Sequence, residues 1–205
     1  MFGYFATDSL LLRSATTLSC MLIALGFVAT RRMPCCAWWI VAAFALSFAG
    51  DYVLGHWGGG FEGFVCGVGL FLVAHLCYVA YSLCCGRMRW WLLALLVGIF
   101  GVYYFALLLP AISDTVTSVA VLSYIIISCL SMAAAVGLDV KECGSLSRAL
   151  YIIGIASLLF SDLLIAQKRF LHDGTLYALM MPTYFASQIL VTASLLTSRK
   201  LTVNQ

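Results

Sequence analysis

The feature that most constrains this chain is its series of long apolar runs, which leave almost no polar sequence between them. A run of about 18–22 apolar residues can cross the roughly 30 Å hydrocarbon core of a bilayer as an α-helix. Seven such runs occur, and we predict an all-α polytopic transmembrane helix bundle that forms a single domain over residues 1–205. The predicted spans are Leu10–Ala29, Ala37–Leu54, Phe64–Cys85, Trp90–Leu109, Thr115–Val136, Arg148–Ala166 and Thr175–Thr197.

The composition excludes the alternatives to a helical membrane protein. The chain is 64% hydrophobic and only 9% charged, whereas ordinary soluble domains are about 25% charged. A β-barrel is excluded because its strands are short and alternate in polarity, while these runs are long and continuous. The basic residues sit in pairs at predicted helix ends rather than in a stripe, so nucleic acid is not an expected partner. The expected partners are membrane lipids.

The basic residues also predict an orientation. Eight of the 11 Lys and Arg residues fall on one side of the predicted spans and three on the other. Because short cytosolic loops collect Lys and Arg, we predict a non-cytosolic N-terminus and a cytosolic C-terminus. The eight are Arg31, Arg32, Arg87, Arg89, Lys141, Arg148, Arg199 and Lys200; the three are Arg13, Lys168 and Arg169.

Two carboxylates lie inside predicted spans. Asp51 and Asp162 each sit about one turn before the outer end of a span that runs outward, so we expect them at the same depth. An ionisable side chain is costly at that depth and is usually retained for function. We therefore interpret the pair as a functional site. Hydrogen bonding of each Asp to a neighbouring helix, with a purely structural role, is the alternative.

Other polar residues fall at similar depths. His75 lies about 11 residues into the third predicted span, near mid-membrane. Tyr184 and Gln188 lie in the outer-to-middle half of the seventh, beside Pro182, which we expect to kink or open the helix there. Each has a structural alternative: a hydrogen-bonded core histidine, a packed aromatic ring, and an amide that joins two helices. In the functional interpretation they join the two carboxylates at one site.

Lys168 and Arg169 lie on the side where cations are scarce, which suggests an anionic ligand such as a lipid phosphate. Interfacial anchoring is the alternative.

No histidine or cysteine spacing typical of a metal site occurs, so we expect neither a metal nor a cofactor. The cysteine pairs at residues 35–36 and 84–85 are either packed thiols or S-acylation sites. Glycines at 59, 63 and 67 predict close helix packing, with a flexible lid as the alternative.

Four segments of the chain carry a family resemblance by their order and spacing. They are Gly50–Leu54, Gly67–Tyr78, Phe160–Ala166 with Arg169–Phe170, and Tyr184–Gln188. On these segments, and from about Leu11 to Leu196, the chain resembles the YhhN-like lysoplasmalogenase family. The resemblance implies an integral membrane hydrolase that cleaves the vinyl ether bond of lysoplasmalogens, releasing a fatty aldehyde and glycerophospho-ethanolamine or -choline. Family members usually have eight spans, so this chain is expected to begin at the second.

The resemblance also implies a chemistry for the polar residues. A vinyl ether hydrolyses by proton transfer to carbon, through an oxocarbenium ion like that of glycosidases, so a protonated acid and a second carboxylate are needed. Asp51 and Asp162 are the expected pair, with acid and base roles unassigned. His75 and Tyr184 would orient water or the ether oxygen. The lysophospholipid phosphate would bind Lys168 or Arg169, and its alkenyl chain would enter between helices from the bilayer.

Two other functions remain open from the sequence. The first is a small transporter, in which spans one to three and five to seven are parallel repeats around span four. Asp51 and Asp162 would then occupy matching positions in the second helix of each triplet. The second is a non-catalytic lipid-binding or scaffold protein of the membrane.

Overall fold

The computed structural model describes residues 2–31, 35–57 and 60–198, with side chains from Ser14 onward. The described chain forms eight helices. Short 3-10 turns at Cys35–Ala37 and Tyr177–Leu179 lead into the second and the last helix. The helices are α1 (Phe2–Thr30), α2 (Trp38–Trp57), α3 (Phe61–Cys84), α4 (Trp90–Ala111), α5 (Thr115–Val136), α6 (Val140–Cys143), α7 (Ser145–Phe170) and α8 (Met180–Leu196).

Six of these helices are long and apolar enough to cross a membrane, namely α2, α3, α4, α5, α7 and α8 with its preceding turn. The first predicted span, Leu10–Ala29, corresponds to α1, whose described apolar part, Ser14–Thr30, is shorter than the six. The prediction of an all-α bundle with multiple membrane spans is confirmed. The boundary of α5 is as predicted, whereas α3 begins earlier, at Phe61, and α7 extends at both ends.

Consecutive helices form the main packed pairs of the bundle. α2 packs along α3 and α7 packs along α8, while α1 lies against α2 and α8, and α5 joins α3 to α7. The main core cluster of buried side chains lies between these helices, with Phe44, Tyr78 and Tyr151 among its largest members. α4 differs from the rest because it packs mainly on α5 and is the least buried of the six long helices.

Small residues allow α2 and α3 to approach closely. A Cβ atom at Gly63 would collide with the Trp57 backbone, and one at Gly67 would lie 2.5 Å from the Leu54 side chain. The glycine pattern therefore reflects close helix packing at these two positions, as predicted. The third glycine of the pattern, Gly59, lies outside the described residues.

The prediction that Pro182 kinks the seventh span is wrong. α8 begins at Met180, so Pro182 lies in its first turn. The first N–H groups of a helix have no intrahelical partner in any case, so proline is accommodated there without a kink.

Two connections that carry basic residues, α3–α4 and α5–α7, meet at one end of the bundle. The Arg87 N–H donates to Gly137 O at 3.0 Å, and the Asp139 N–H donates to Cys85 O at the same distance. One guanidinium nitrogen of Arg148 also donates to Val136 O at 2.9 Å. This end is called the basic end below. Its orientation relative to the cytosol stays a prediction.

Candidate active site

A histidine and an aspartate from different helices form a hydrogen-bonded pair inside the bundle. His75 lies just past the middle of α3 and is only 1% exposed. Its Nε2 is 3.2 Å from Oδ2 of Asp162 on α7, and its Nδ1 is 2.9 Å from Oγ of Ser131 on α5. The imidazole is thus held at both nitrogens by side chains from two other helices.

The hydrogen-bond network determines which nitrogen donates. The Ser131 hydroxyl has one proton, which it donates to the Ser128 carbonyl oxygen at 2.9 Å. The 2.9 Å contact with His75 therefore needs the Nδ1–H as donor and Ser131 Oγ as acceptor. A hydrogen bond between Nε2 and Asp162 then needs one more proton, carried either by the imidazole or by the carboxyl group. The two groups are thus placed so that a proton can pass from one to the other.

A second carboxylate, Asp51 on α2, has a different environment. It is fully buried, and its Oδ2 accepts hydrogen bonds from the Tyr184 hydroxyl at 2.7 Å and the Thr17 hydroxyl at 3.0 Å. These two hydroxyl oxygens are 3.2 Å apart. Asp51 is therefore an acceptor from two hydroxyl groups at this oxygen, whereas Asp162 contacts an imidazole nitrogen.

One apolar cavity is lined by Asp162 of the first pair and by Tyr184, which binds Asp51. The space between its walls, including the part that is open to the surroundings, amounts to about 900 Å³. Its lining lies towards the end of the bundle opposite the basic end. The lining residues are Leu54, Phe64, Val68, Phe71, Phe100, Tyr103, Leu108, Val121, Tyr124, Ile125, Ser128, Leu159, Asp162, Leu163, Ile165, Ala166, Phe170 and Tyr184.

The two carboxylates reach this cavity in different ways. The Asp162 side chain lines it and is 13% exposed. Asp51 does not line it, and the Tyr184 hydroxyl that binds Asp51 belongs to a cavity-lining side chain. Counted from the helix ends, both carboxylates lie about two turns inside rather than one. The reason is that α2 continues to Trp57 and α7 to Phe170.

Three residues of this network were not predicted from the sequence. Thr17 and Ser131 supply hydroxyl groups to Asp51 and His75. Tyr124 on α5 lines the cavity, presents its ring edge-on to His75 at a centroid distance of 5.3 Å, and hydrogen-bonds to Asp162. Their sequence signal is weak, because single hydroxyl residues are common and inexpensive in membrane helices.

Gln188 does not join this site. It lies on α8 one turn beyond Tyr184, is 1% exposed, and is not among the cavity-lining residues. Neither its amide nitrogen nor its amide oxygen has a hydrogen-bond partner among the described residues. The structure thus places Gln188 in the core beside the site rather than in it.

The two cations at the end of α7 are exposed and point to different neighbours. The Arg169 guanidinium lies 4.6 Å from the ring centroid of Phe64, a cavity-lining residue. The Lys168 ammonium lies 5.9 Å from the Tyr177 ring. In the next loop, a hydrogen bond from the Thr175 side chain, with a smaller contribution from Lys168, lowers the pKa of Asp173. Arg169 is therefore the cation nearer the cavity.

Among the described residues, no group of three or more His, Cys, Asp or Glu side chains is placed to hold a metal ion. The ionisable groups at the cavity are instead joined to one another and to hydroxyl groups. Their arrangement is suited to proton transfer within an apolar space.

The fold and the site together define a class: an α-helical, multi-pass membrane protein with buried ionisable groups at an apolar cavity. Residues 11–195, nearly the whole chain, match the YhhN family, and the chain therefore belongs to that family. No curated protein and no solved structure matches the chain.

Proposed function

We propose that this chain is a membrane hydrolase that cleaves the vinyl ether bond of lysoplasmalogens, the activity that the family resemblance implies. The observation that carries the proposal is the hydrogen-bonded pair of Asp162 and His75 at the wall of an apolar cavity. Vinyl ether hydrolysis begins with proton transfer to carbon, so it requires an acid beside an apolar chain. No cofactor is needed for that step.

Asp162 is the proposed proton donor. It transfers a proton to the alkenyl carbon two bonds from the ether oxygen, and positive charge develops on the carbon bonded to that oxygen. His75 holds the donor in place and takes part in its reprotonation. Tyr124 contacts Asp162 and positions its carboxyl group at the cavity wall.

Tyr184 and Asp51 are proposed to accept a proton from the water that completes the reaction. Water adds to the positively charged carbon and gives a proton to the Tyr184 oxygen while Tyr184 gives its own to Asp51. The resulting hemiacetal collapses: its C–O bond to glycerol breaks, the hydroxyl proton moves to the glycerol oxygen, and an aldehyde forms. The proton on Asp51 returns to the Asp162–His75 pair through cavity water, which closes the cycle.

The lysophospholipid head group is proposed to lie at the cavity edge near Arg169, which can bind the phosphate, while Lys168 adds positive charge. The alkenyl chain would then occupy the apolar cavity. Since this edge is opposite the basic end, the positive-inside rule would place the site in the non-cytosolic half of the membrane.

The position of the cavity supports a hydrolase over the alternative of a transporter. The cavity lies towards one end of the bundle, and buried side chains of the main core cluster, including Tyr78, Tyr81 and Tyr151, fill the space between it and the basic end. A carrier needs a site that can open to both sides. A closed-ended apolar cavity is instead suited to a substrate that arrives from the bilayer.

The test is release of free aldehyde from lysoplasmalogen by the purified protein in detergent. We expect Asp162→Asn and Asp51→Asn each to lower turnover by about 10²–10⁴-fold, the usual contribution of general acid–base catalysis. The matched control is Asp114→Asn. Asp114 caps α5 from the loop, and asparagine is an equally good cap. Absence of turnover in the folded wild-type protein would refute the proposed activity, and full activity in Asp162→Asn would remove Asp162 from the mechanism.

A further inference from the structure

Three cysteine side chains from separate segments meet at the basic end of the bundle. Cys36 belongs to the turn before α2, Cys85 is the first residue after α3, and Cys143 is the last residue of α6. The Cys85 thiol donates to Cys36 Sγ at 3.7 Å, and Cys85 also hydrogen-bonds to Cys143. Cys85 therefore lies between the other two thiols. The proposed hydrolase site does not use this cluster.

The backbone around Cys85 is held in place by the neighbouring loop. Cys85 O accepts the Asp139 N–H at 3.0 Å, and Gly86 forms an isolated antiparallel bridge with Leu138. An S–S bond is about 2.05 Å long, so the sulfur atoms of Cys36 and Cys85 need to approach by about 1.6 Å. Rotation of the two side chains and a small shift of the turn that carries Cys36 can supply this movement.

Exposure and sequence neighbours distinguish the members of the cluster. Cys36 is half-buried and can be reached by a small oxidant, whereas Cys85 and Cys143 are buried. The adjacent residues Cys35 and Cys84 are exposed. The two cysteine pairs noted in the sequence are thus each divided into an outward thiol and a thiol that faces the other pair.

Hydrogen bonds also distinguish the two buried thiols. Those with Cys143 and then with Cys36 raise the pKa of the Cys85 thiol, while those with Cys85 and then with Tyr81 lower the pKa of the Cys143 thiol. Because the thiolate is the reactive form, Cys85 is not expected to be the thiol that reacts first with an oxidant.

We propose that Cys36 and Cys85 are a redox-sensitive pair that forms a reversible disulfide linking the start of α2 to the end of α3. With a hydroperoxide as oxidant, the Cys36 sulfur attacks one peroxide oxygen and becomes a sulfenic acid, and the other oxygen leaves as water when the oxidant is hydrogen peroxide. The Cys85 sulfur then attacks the Cys36 sulfur and the S–O bond of the sulfenic acid breaks. The departing hydroxyl group takes the Cys85 proton and leaves as a second water. Two thiols lose two electrons and hydrogen peroxide gains them.

The expected location of the pair determines which redox form is the resting form. The basic end is the predicted cytosolic end, where thiols are kept reduced and disulfides are usually transient. The reduced cluster is then the resting form, and oxidation fixes the ends of α2 and α3. These helices carry Asp51 and His75, so the link acts on the scaffold of the site without touching the cavity.

The test uses purified protein in detergent, treated with dilute hydrogen peroxide and then with N-ethylmaleimide to block remaining thiols. Chymotrypsin can cut after Trp38 and after Leu83, which separates the two cysteine pairs into different peptides. Mass spectrometry without reduction should detect one peptide linked to the other. The double variant Cys35→Ser/Cys84→Ser should keep this link, because it removes only the exposed thiols.

Adding Cys85→Ser to the double variant should abolish the linked peptide, and dithiothreitol should release it in the parent. Cys36→Ser, at a half-buried position, gives the same expected loss if Cys85→Ser does not fold. Cys66→Ser, an exposed thiol elsewhere on α3, is the matched control and should keep the link. Loss of the link in Cys35→Ser/Cys84→Ser, or a link from Cys85 to Cys143 instead, would refute the proposed pair. These readouts need no enzyme activity, so they are independent of the proposed hydrolase function.

Discussion

The hydroxyl of Tyr184 donates a 2.7 Å hydrogen bond to Oδ2 of Asp51, joining the first turns of α8 to the last two turns of α2 across 133 positions of the chain. Tyr184 also lines the apolar cavity, while Asp51 does not. The tyrosine is therefore the only side chain of this pair that a molecule in the cavity can touch directly. This arrangement makes separate predictions for the two hydroxyl groups bound to Asp51.

Tyr184→Phe removes the hydroxyl that connects Asp51 with the cavity and should lower turnover by about 10²-fold or more. Thr17→Val removes the other donor to Asp51 but leaves the Tyr184 contact, so a smaller decrease, within about 10-fold, is expected. Both rates are measured as aldehyde release at saturating substrate. Equal losses in the two variants would show that Asp51 acts independently of Tyr184.

Ser131 is a positioning residue because it accepts the Nδ1–H of His75 and does not line the cavity. Ser131→Ala leaves that buried donor without its acceptor, at a cost of about 1–3 kcal/mol in stability. We expect the maximal rate to fall and its pH profile to shift, with little change in KM. Ser131→Thr keeps an oxygen at this position and should restore most of the rate. An unchanged pH profile in Ser131→Ala would limit Ser131 to a structural role.

The cavity should determine the length of the alkenyl chain that is accepted. Ala166→Phe adds a ring to a lining residue, so it should reduce activity on long-chain substrates more than on short-chain substrates. The matched control is Ala106→Phe on the exposed side of α4, which is expected to leave chain-length preference unchanged. The ratio of kcat/KM values for two chain lengths measures the effect. A uniform decrease at all lengths would place the chain elsewhere.

Close approach of α2 and α3 predicts unequal effects of glycine substitution along one helix. Gly63→Ala should destabilise the protein by about 1–3 kcal/mol, because the new Cβ would meet the Trp57 backbone, which cannot rotate away. Gly69→Ala on the same helix should be neutral or slightly stabilising, since nothing lies within 4 Å of its Cβ position. Thermal unfolding in detergent compares the two. Equal melting temperatures would contradict the packing seen here.

The parts of this site that the sequence predicts are those whose presence in a membrane is expensive. Asp51, Asp162 and His75 stand out because ionisable groups are rare in apolar helices, and the structure places the first two near one cavity and joins the last two by a hydrogen bond. Their catalytic roles stay a prediction. Thr17 and Ser131 could not be selected in this way, because a hydroxyl group can return its hydrogen bond to its own helix at little cost.

The sequence does not show which face of each helix is turned towards the cavity. Gln188 is one turn from Tyr184, yet only Tyr184 faces the cavity, and no periodicity in a continuously apolar run distinguishes the two faces. The apolar run at the end of the chain predicts a span from Thr175, whereas α8 begins at Met180. Pro182 therefore lies in the first turn of the helix and not in its interior.

α4 contributes Phe100, Tyr103 and Leu108 to the cavity wall, contains a π-helical segment over Tyr104–Leu108, and packs mainly on α5. A wall that rests on one neighbour is the least costly side of the bundle to displace, and π-helical turns occur often where helices serve a function. For the proposed hydrolase, we therefore expect the substrate to exchange sideways with the surrounding bilayer leaflet on this side. Its hydrocarbon tail would then never cross water on the way in or out.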